Sequence, residues 1–227
     1  MSMPNWRKLE VGWVRGPKIL VFGLSLLPLA GLIRAAATEA LGANPIETIT
    51  RTTGWWTLVF LTIGLAVTPV RKLFGWMWLG RFRRMLGLFG FFYGALHLLT
   101  YLVLDQFFAW TDILTDIAKR PYITVGFAAF VMMVPLATTS TDSMIRRLGG
   151  KNWKRLHQLV YLIGTAGVVH FWWLVKKDIR EPALFALILM ILLLSRLNGL
   201  IGSDASRRFR QPRFRALREN GRPDELA

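Results

Sequence analysis

Six stretches of the chain consist almost entirely of apolar residues, and polar or basic segments separate them. They cover residues 18–33, 55–70, 85–104, 122–138, 153–175 and 182–200. Apolar runs of about 20 residues match the hydrocarbon core of a bilayer, which is about 30 Å thick. The pattern therefore predicts an all-α membrane protein with a bundle of six transmembrane helices. The first two runs are short, and we expect their helices to extend into the flanking sequence.

The segments between the apolar runs are short, which favours one compact bundle. The chain divides into an N-terminal segment over 1–17, a transmembrane domain over 18–200 and a basic tail over 201–227. The longest connection on the outer side is predicted over 34–54. The first run is not expected to be a cleaved signal peptide, since it lacks a clear small-residue cleavage site and five runs follow it. We expect the tail to lie at anionic membrane lipid, with docking of a partner as the alternative.

Basic residues are distributed unequally between the two sides that this topology creates. The two termini with the second and fourth connections hold 22 Lys or Arg and 6 Asp or Glu, whereas the other three connections hold 7 of each. One side thus carries the whole formal net charge of +16. The positive-inside rule places both termini in the cytoplasm. Because topology explains the charge, nucleic acid is not expected as a partner.

The composition excludes several kinds of chemistry. The chain has no Cys, which excludes disulfides, Cys-ligated zinc, iron–sulfur clusters and a thiol nucleophile. The polar stretch after the last apolar run has no Gly-x-Gly-x-x-Gly motif, and a dinucleotide-binding unit by itself takes about 30 residues. We therefore expect any redox role to depend on another protein for soluble reducing power.

All three histidines of the chain lie in apolar runs, where ionisable side chains are rare and usually functional. With both termini inside, the third and fifth helices run in the same direction. His97 lies thirteen residues past Arg84. His170 lies fifteen residues past Arg155, so at about 1.5 Å per residue the two histidines reach a similar depth. Two imidazoles at one level are typical of axial haem ligands and favour electron transfer. The alternatives are a packing hydrogen bond for His97 and an interfacial aromatic belt around His170.

His157 lies at the cytoplasmic end of the fifth apolar run, two residues past Arg155. Along a continuous helix it would be about 20 Å from His170 and rotated from it by roughly 140°, while Gly164 and Gly167 between them could accommodate a bend or π-bulge. The third helix has Arg83 and Arg84 at this level, so the spacing does not support a second bis-histidine haem. Arginines favour a phosphate-bearing cofactor beside His157. The alternatives are an interfacial histidine without a cofactor and arginines that only determine topology.

Two segments of the sequence resemble a known family. They are RRMLGLFGFFYGALHLLTYLVLDQ and TTSTDSMIRRLGGKNWKRLHQLVYLIGTAGVVHFWW, which together contain the three histidines. They resemble the haem-binding membrane subunit of the bacterial periplasmic methionine-sulfoxide reductase system, a relative of ferric-reductase-like and NADPH-oxidase-like transmembrane domains. The resemblance covers nearly the whole chain from 18 to 200. It implies a multi-pass protein of the bacterial inner membrane that binds haem b and flavin mononucleotide (FMN).

The resemblance also implies roles for particular residues. His97, His157 and His170 match the three histidines of the family, and Arg83 matches its basic residue at the inner cofactor level. With the depth argument, His97 and His170 are the expected ligands of the haem iron. His157 and Arg83 are the expected contacts of FMN. NADPH oxidases have two histidines on the third helix where this chain has one, which favours haem plus flavin over two haems.

The expected function is that of an electron-transfer subunit rather than a catalytic subunit. We expect it to take electrons from a cytoplasmic flavin reductase or from quinol. It passes them through flavin and haem to a periplasmic molybdopterin-dependent methionine-sulfoxide reductase, which repairs oxidised proteins. One alternative is a transmembrane ferric or cupric reductase. Another is a proton-coupled transporter with a histidine relay, although the apolar runs hold no acid to pair with a histidine.

Overall fold

The computed structural model describes residues 6–175 and 177–196, with side chains from Gly16 onward, and these ranges contain helices and no strand. The α-helices in them are α1 Trp6–Ala37, α2 Pro45–Phe74, α3 Arg83–Leu99, α4 Trp110–Lys119, α5 Pro121–Thr138, α6 Asp142–Leu148, α7 Gly150–Leu156, α8 Leu159–Leu174 and α9 over 180–196. A 3-10 turn, Met77–Arg81, precedes α3, and a π-helical turn, Thr100–Asp105, continues it. The predicted all-α class is confirmed.

Four helical segments are long and apolar enough to cross a membrane. They are Gly16–Ala37, Pro45–Phe74, Arg83–Asp105 and Pro121–Thr138. α8 and α9 carry the last two apolar runs, but α8 has only 16 residues, fewer than the roughly 20 that usually span the hydrocarbon core. The chain is therefore a membrane protein, and the count of six spans stays a prediction. The first two helices extend beyond their apolar runs as expected, to 32 and 30 residues.

The outer connection predicted over 34–54 is wrong in length, because both flanking helices extend into it. α1 continues to Ala37 and α2 begins at Pro45. The side chain of Asn44 caps α2 by accepting a hydrogen bond from the Glu47 amide, and proline suits the first turn because no N–H is needed there. Threonine hydroxyls in the next turns donate to carbonyls one turn earlier. These bonds satisfy the polar groups within the helix.

The run over 153–175, predicted as one helix, is broken in the structure by a turn at His157 and Gln158. α7 ends just before this turn and α8 begins just after it. The 140° rotation expected between His157 and His170 therefore does not apply, since it required a continuous helix. α4 and α6 also lie in connections where the apolar pattern predicts no helix, because such short helices contain no continuous apolar run.

α2 is the central helix of the described bundle. It packs most extensively against α3, and α5 packs most extensively against α8. Leu58 and Leu65 of α2 are buried in a cluster with residues of α8 and α9. On the α3 side, Phe60 stacks on Phe89 and Tyr93 at ring-centre distances of 5.5 and 5.4 Å. This packing fixes α3 and α8 on either side of α2.

α1 packs loosely, since most of its apolar side chains are exposed, and one polar contact anchors it. The hydroxyl of the fully buried Tyr93 donates to the Ser25 carbonyl at 2.8 Å and accepts from the Leu29 amide at 3.3 Å. The hydroxyl thus bridges an amide and a carbonyl that lie four residues apart in α1. The exposed apolar face of α1 suits contact with lipid.

Candidate functional site

The imidazoles of His97 on α3 and His170 on α8 face each other inside the bundle. Their ring centres are 6.1 Å apart, and the ring planes are inclined at 83°. The two helices thus bring the rings to one level across the bundle. Ligation of a haem iron by these two residues stays a prediction.

Backbone carbonyls fix the tautomer of both rings. Nδ1 of His97 lies 2.9 Å from the Thr50 carbonyl of α2, and Nδ1 of His170 lies 2.6 Å from the Tyr122 carbonyl of α5. A carbonyl oxygen only accepts hydrogen bonds, so each Nδ1 carries the proton and donates. Nε2 of each ring then has a free lone pair, and neither Nε2 bonds to a described residue. This is the protonation state of a neutral histidine that binds a metal.

A cavity of about 580 Å³ opens beside these two rings, and we call it the histidine-pair cavity. Its walls are largely apolar and include Leu58, Phe130 and Ile163. Its charged side chains are Arg51, Asp105, Arg120 and Glu181. The volume lies within the range of about 300–1,000 Å³ that small-molecule sites occupy. An apolar chamber with two free imidazole nitrogens suits a large, flat, metal-containing group.

The separation of the rings fits ligation of one metal ion from both sides. Histidine nitrogens bind metals at about 2 Å, so two imidazoles bound end-on to one metal have ring centres about 6 Å apart. The observed distance between the centres of His97 and His170 is 6.1 Å. The described residues contain no cluster of three or more His, Cys, Asp or Glu that could hold a bare metal ion. The donor set therefore fits a haem better than a mononuclear protein site.

A second cavity, of about 500 Å³, lies near the other end of α3 and α8, and we call it the basic cavity. Its basic side chains are Arg71, Arg83, Arg84, Lys154 and His157. No acidic side chain lines it among the described residues. Arg84 forms an ion pair with Asp142, which does not line the cavity. The Arg84 guanidinium lowers the pKa of the Asp142 carboxyl. The remaining positive charge suits an anionic ligand.

His157 is held by the helix before it. Its ring stacks on Trp153 with 3.8 Å between ring centres, and its Nδ1 donates to the Trp153 carbonyl at 3.1 Å. Nε2 lies 3.5 Å from the Ser140 hydroxyl, which is a weak contact. Burial lowers the pKa of His157, and the nearby positive charge of Arg83 lowers it further. Hydrogen bonds to the Trp153 and Leu136 carbonyls act in the opposite direction, but burial is the largest effect, and the lowered pKa favours the neutral form of His157 at pH 7.

The two cavities share a thin apolar wall. Leu61 of α2, Met133 of α5 and Ile163 of α8 line both of them. These three side chains are buried and form one cluster. Groups bound in the two cavities would thus be separated by little more than one layer of side chains.

The structure sorts the sequence-predicted residues into two places. His97 and His170 line the histidine-pair cavity, whereas His157 and Arg83 line the basic cavity. The carbonyls that hold the paired rings are not predictable from residue types, because every residue has one. Arg71 and Lys154 also line the basic cavity, and the only sequence signal for them is their place in basic connections.

The chain matches the family described as "Ferric reductase like transmembrane component" over residues 53–168. This range includes His97 and His157 and ends two residues before His170. It contains most of α2, all of α3 to α7 and the greater part of α8. The match therefore covers the whole lining of the basic cavity and most, but not all, of the lining of the histidine-pair cavity.

Several relatives are similar over most of their length. A protein of Herminiimonas arsenicoxydans is 53% identical over 181 residues, which cover 79% of this chain and 83% of the relative. Proteins of Azospira oryzae and Rhodospirillum rubrum are each 54% identical; they cover 78% and 79% of this chain and 76% and 86% of the relatives. All three are named protein-methionine-sulfoxide reductase heme-binding subunit MsrQ.

Proposed function

The chain belongs to the family of haem-binding subunits of protein-methionine-sulfoxide reductase, which have a ferric-reductase-like membrane domain, and we propose that it is a transmembrane electron carrier. It supplies reducing power to a periplasmic, molybdopterin-dependent methionine-sulfoxide reductase that repairs oxidised proteins. The partner is the catalytic subunit, and this chain transfers electrons. The observation that carries the proposal is the pair of free imidazole nitrogens of His97 and His170 beside one apolar cavity.

His97 and His170 hold a b-type haem in the histidine-pair cavity. When bound, the haem iron supplies one-electron chemistry, and two histidine ligands leave no open position for oxygen. The Thr50 and Tyr122 carbonyls orient the rings and raise their basicity through the Nδ1–H bonds. Arg51 and Arg120 line this cavity and are its basic groups for the haem propionates, and each also pairs with an acid, Glu47 and Asp116 respectively.

Arg83 and His157 help to hold FMN in the basic cavity. Arginine forks suit the phosphate group of this cofactor, and the lining has no described acid to repel it. The neutral His157 supplies a hydrogen-bond acceptor and a ring stacked on Trp153. When bound, the flavin supplies a link between two-electron donors and one-electron acceptors.

The orientation follows from charge. The basic cavity takes its arginines from the basic connections, which we place in the cytoplasm with both termini. Six spans cross the inner membrane over 18–200, with the N-terminal segment 1–17 and the tail 201–227 inside. The tail lies outside the described residues. The basic cavity then faces a cytoplasmic flavin reductase or quinol as donor, and the histidine-pair cavity lies toward the periplasm. Lipid surrounds the bundle.

Spectra of the purified full-length protein, together with vesicles that contain it, test this function. We expect a six-coordinate low-spin haem spectrum and extractable FMN. Vesicles that enclose a flavin reductase and its nicotinamide donor should reduce external methionine sulfoxide only when the sulfoxide reductase is outside. A colourless protein would support the histidine-relay transporter instead. Equal reduction of ferric or cupric chelates without the partner would support a metal reductase.

A further inference from the structure

We propose that Gly54 and Gly126 are positioning residues for the paired imidazoles, which rests on the proposed function of His97 and His170 as haem ligands. Because a glycine has no side chain, the Nδ1–H group of the imidazole can reach the backbone carbonyl of the residue four positions before that glycine. The two glycines belong to different helices, and each one serves a different histidine.

The same arrangement occurs twice in the bundle. In α2, the Thr50 carbonyl accepts the bond from His97, and Gly54 follows four residues later. In α5, the Tyr122 carbonyl accepts the bond from His170, and Gly126 follows four residues later. Residues four apart share one helix face, and each Cα–Cβ bond leans toward the N-terminus. A side chain at the fourth position would therefore lean over the accepting carbonyl.

The distances show how little space is left. A Cβ atom on Gly126 would lie 2.6 Å from Nδ1 of His170 and 2.8 Å from its Cε1. A Cβ atom on Gly54 would lie 3.0 Å from both corresponding atoms of His97. Non-bonded heavy atoms of this kind prefer about 3.5–4.0 Å. Alanine at either position would push the imidazole off its carbonyl, and the displacement would be larger at Gly126.

Loss of the carbonyl contact has a defined chemical consequence. The Nδ1–H bond holds the tautomer with a free Nε2 and makes that nitrogen a stronger donor to iron. A stronger donor stabilises the ferric state. Weakening the bond should therefore lower haem affinity by about 10–100-fold, as is typical for a group that orients a metal ligand, and should raise the midpoint potential of the remaining haem.

Small residues in membrane helices also serve helix packing, and the chain offers a matched control. Gly31 lies in the apolar helix α1, and a Cβ atom there would meet nothing within 4 Å. Gly31→Ala makes the same chemical change in a membrane helix without touching an imidazole. It should bind haem with wild-type affinity and potential.

The test compares Gly126→Ala, Gly54→Ala and Gly31→Ala as purified full-length proteins. Haem affinity, midpoint potential and the ferric EPR spectrum, which depends on the angle between the axial ring planes, are measured for each. We expect the affinity to fall most for Gly126→Ala, less for Gly54→Ala and not for the control, with upward shifts in potential in the first two. Wild-type affinity, potential and EPR spectrum in Gly126→Ala would overturn the proposal.

A double-mutant cycle separates contact with the imidazole from general packing. Thermal unfolding in detergent, measured without haem, should show that Gly126→Ala lowers the Tm of the wild-type chain. In a His170→Ala background the clash is gone, so Gly126→Ala should no longer lower the Tm, and the higher helix propensity of alanine acts only to raise it. An equal decrease in both backgrounds would assign Gly126 to helix packing and refute the proposal. Because the cycle needs no haem, it also tests the contact if the wild-type chain proves colourless, which would refute the proposed function.

Discussion

The ring of His97 faces the ring of His170 at 6.1 Å, and neither ring is held by its own helix. α2 fixes the first ring through the Thr50 carbonyl, and α5 fixes the second through the Tyr122 carbonyl. The distance between the two ring centres therefore depends on four helices: α2, α3, α5 and α8. Because α2 packs on α3 and α5 packs on α8, each histidine is positioned by the helix against which its own helix packs.

Replacement of either paired histidine should remove most of the bound haem. His97→Ala and His170→Ala each remove one proposed haem ligand, and the loss of affinity should exceed the roughly 10–100-fold cost of losing a hydrogen bond that only supports a ligand. Haem content per protein is measured by pyridine haemochrome in membranes and after purification. Added imidazole should partly restore the low-spin spectrum. If both variants retain wild-type haem content, these residues are not the ligands.

Both termini should lie in the cytoplasm. The basis is the excess of 22 basic residues on one side of the predicted topology over 7 on the other. A fluorescent protein that folds only in the cytoplasm should be bright when fused after Ala227, and alkaline phosphatase at the same position should be inactive. A fusion within the connection between α1 and α2 serves as the reverse control. Active phosphatase after Ala227 would contradict the orientation.

The sequence predicts the depth of the histidines better than their surroundings. Apolar runs give the position of His97 and His170 along the membrane normal, because each residue advances a helix by a fixed rise. They do not give the acceptors of Nδ1, since a backbone carbonyl leaves no mark in the sequence. Gly54 and Gly126 lie beside those carbonyls, but their proximity to the two imidazoles is visible only when the packing of the helices is known.

The break before α8 shows a second limit of the sequence. His157 and Gln158 form a turn inside an apolar run, although neither is a strong helix breaker like proline or glycine. Periodicity and propensity both favour one helix there, so the break depends on tertiary contacts. The contact of His157 with Ser140 is of this kind, because it joins segments that the sequence alone does not pair. The stack of His157 on Trp153 is local, since the two residues lie one helical turn apart.

Protonation of His157 should make the fold less stable in mild acid. Burial and Arg83 lower its pKa in the folded protein below the ordinary value of 6.5. Below about pH 6.5 the unfolded chain therefore binds a proton that the folded chain resists, so the free energy of unfolding falls as the pH falls. The decrease in Tm from about pH 7.5 to about pH 5.5 should be smaller in His157→Gln than in the wild type. The other two histidines are present in both proteins, so their contribution cancels. Equal decreases would mean that His157 titrates as it does in water.

Removal of Arg83 or His157 should lower flavin content while leaving the haem largely in place. Arg83 lies in a basic cavity without a described acid, and loss of a charge-assisted hydrogen bond costs about 1.5–3 kcal/mol, or roughly 10–150-fold in affinity. His157→Ala should have a smaller effect, since a neutral acceptor is lost. FMN and haem are quantified separately in each variant, together with the rate of haem reduction by an external flavin reductase.

Arg147 provides the matched control, because it is an exposed arginine of the neighbouring α6 and does not line the basic cavity. Arg147→Ala removes the same charge from the same side of the bundle and should retain FMN. Arg83→Lys keeps the charge without the planar fork and should bind FMN with intermediate affinity. If Arg83→Ala or His157→Ala loses haem and retains FMN, the basic cavity holds a second haem. The flavin assignment would then have to be abandoned, while the roles of His97 and His170 would stand on their own variants.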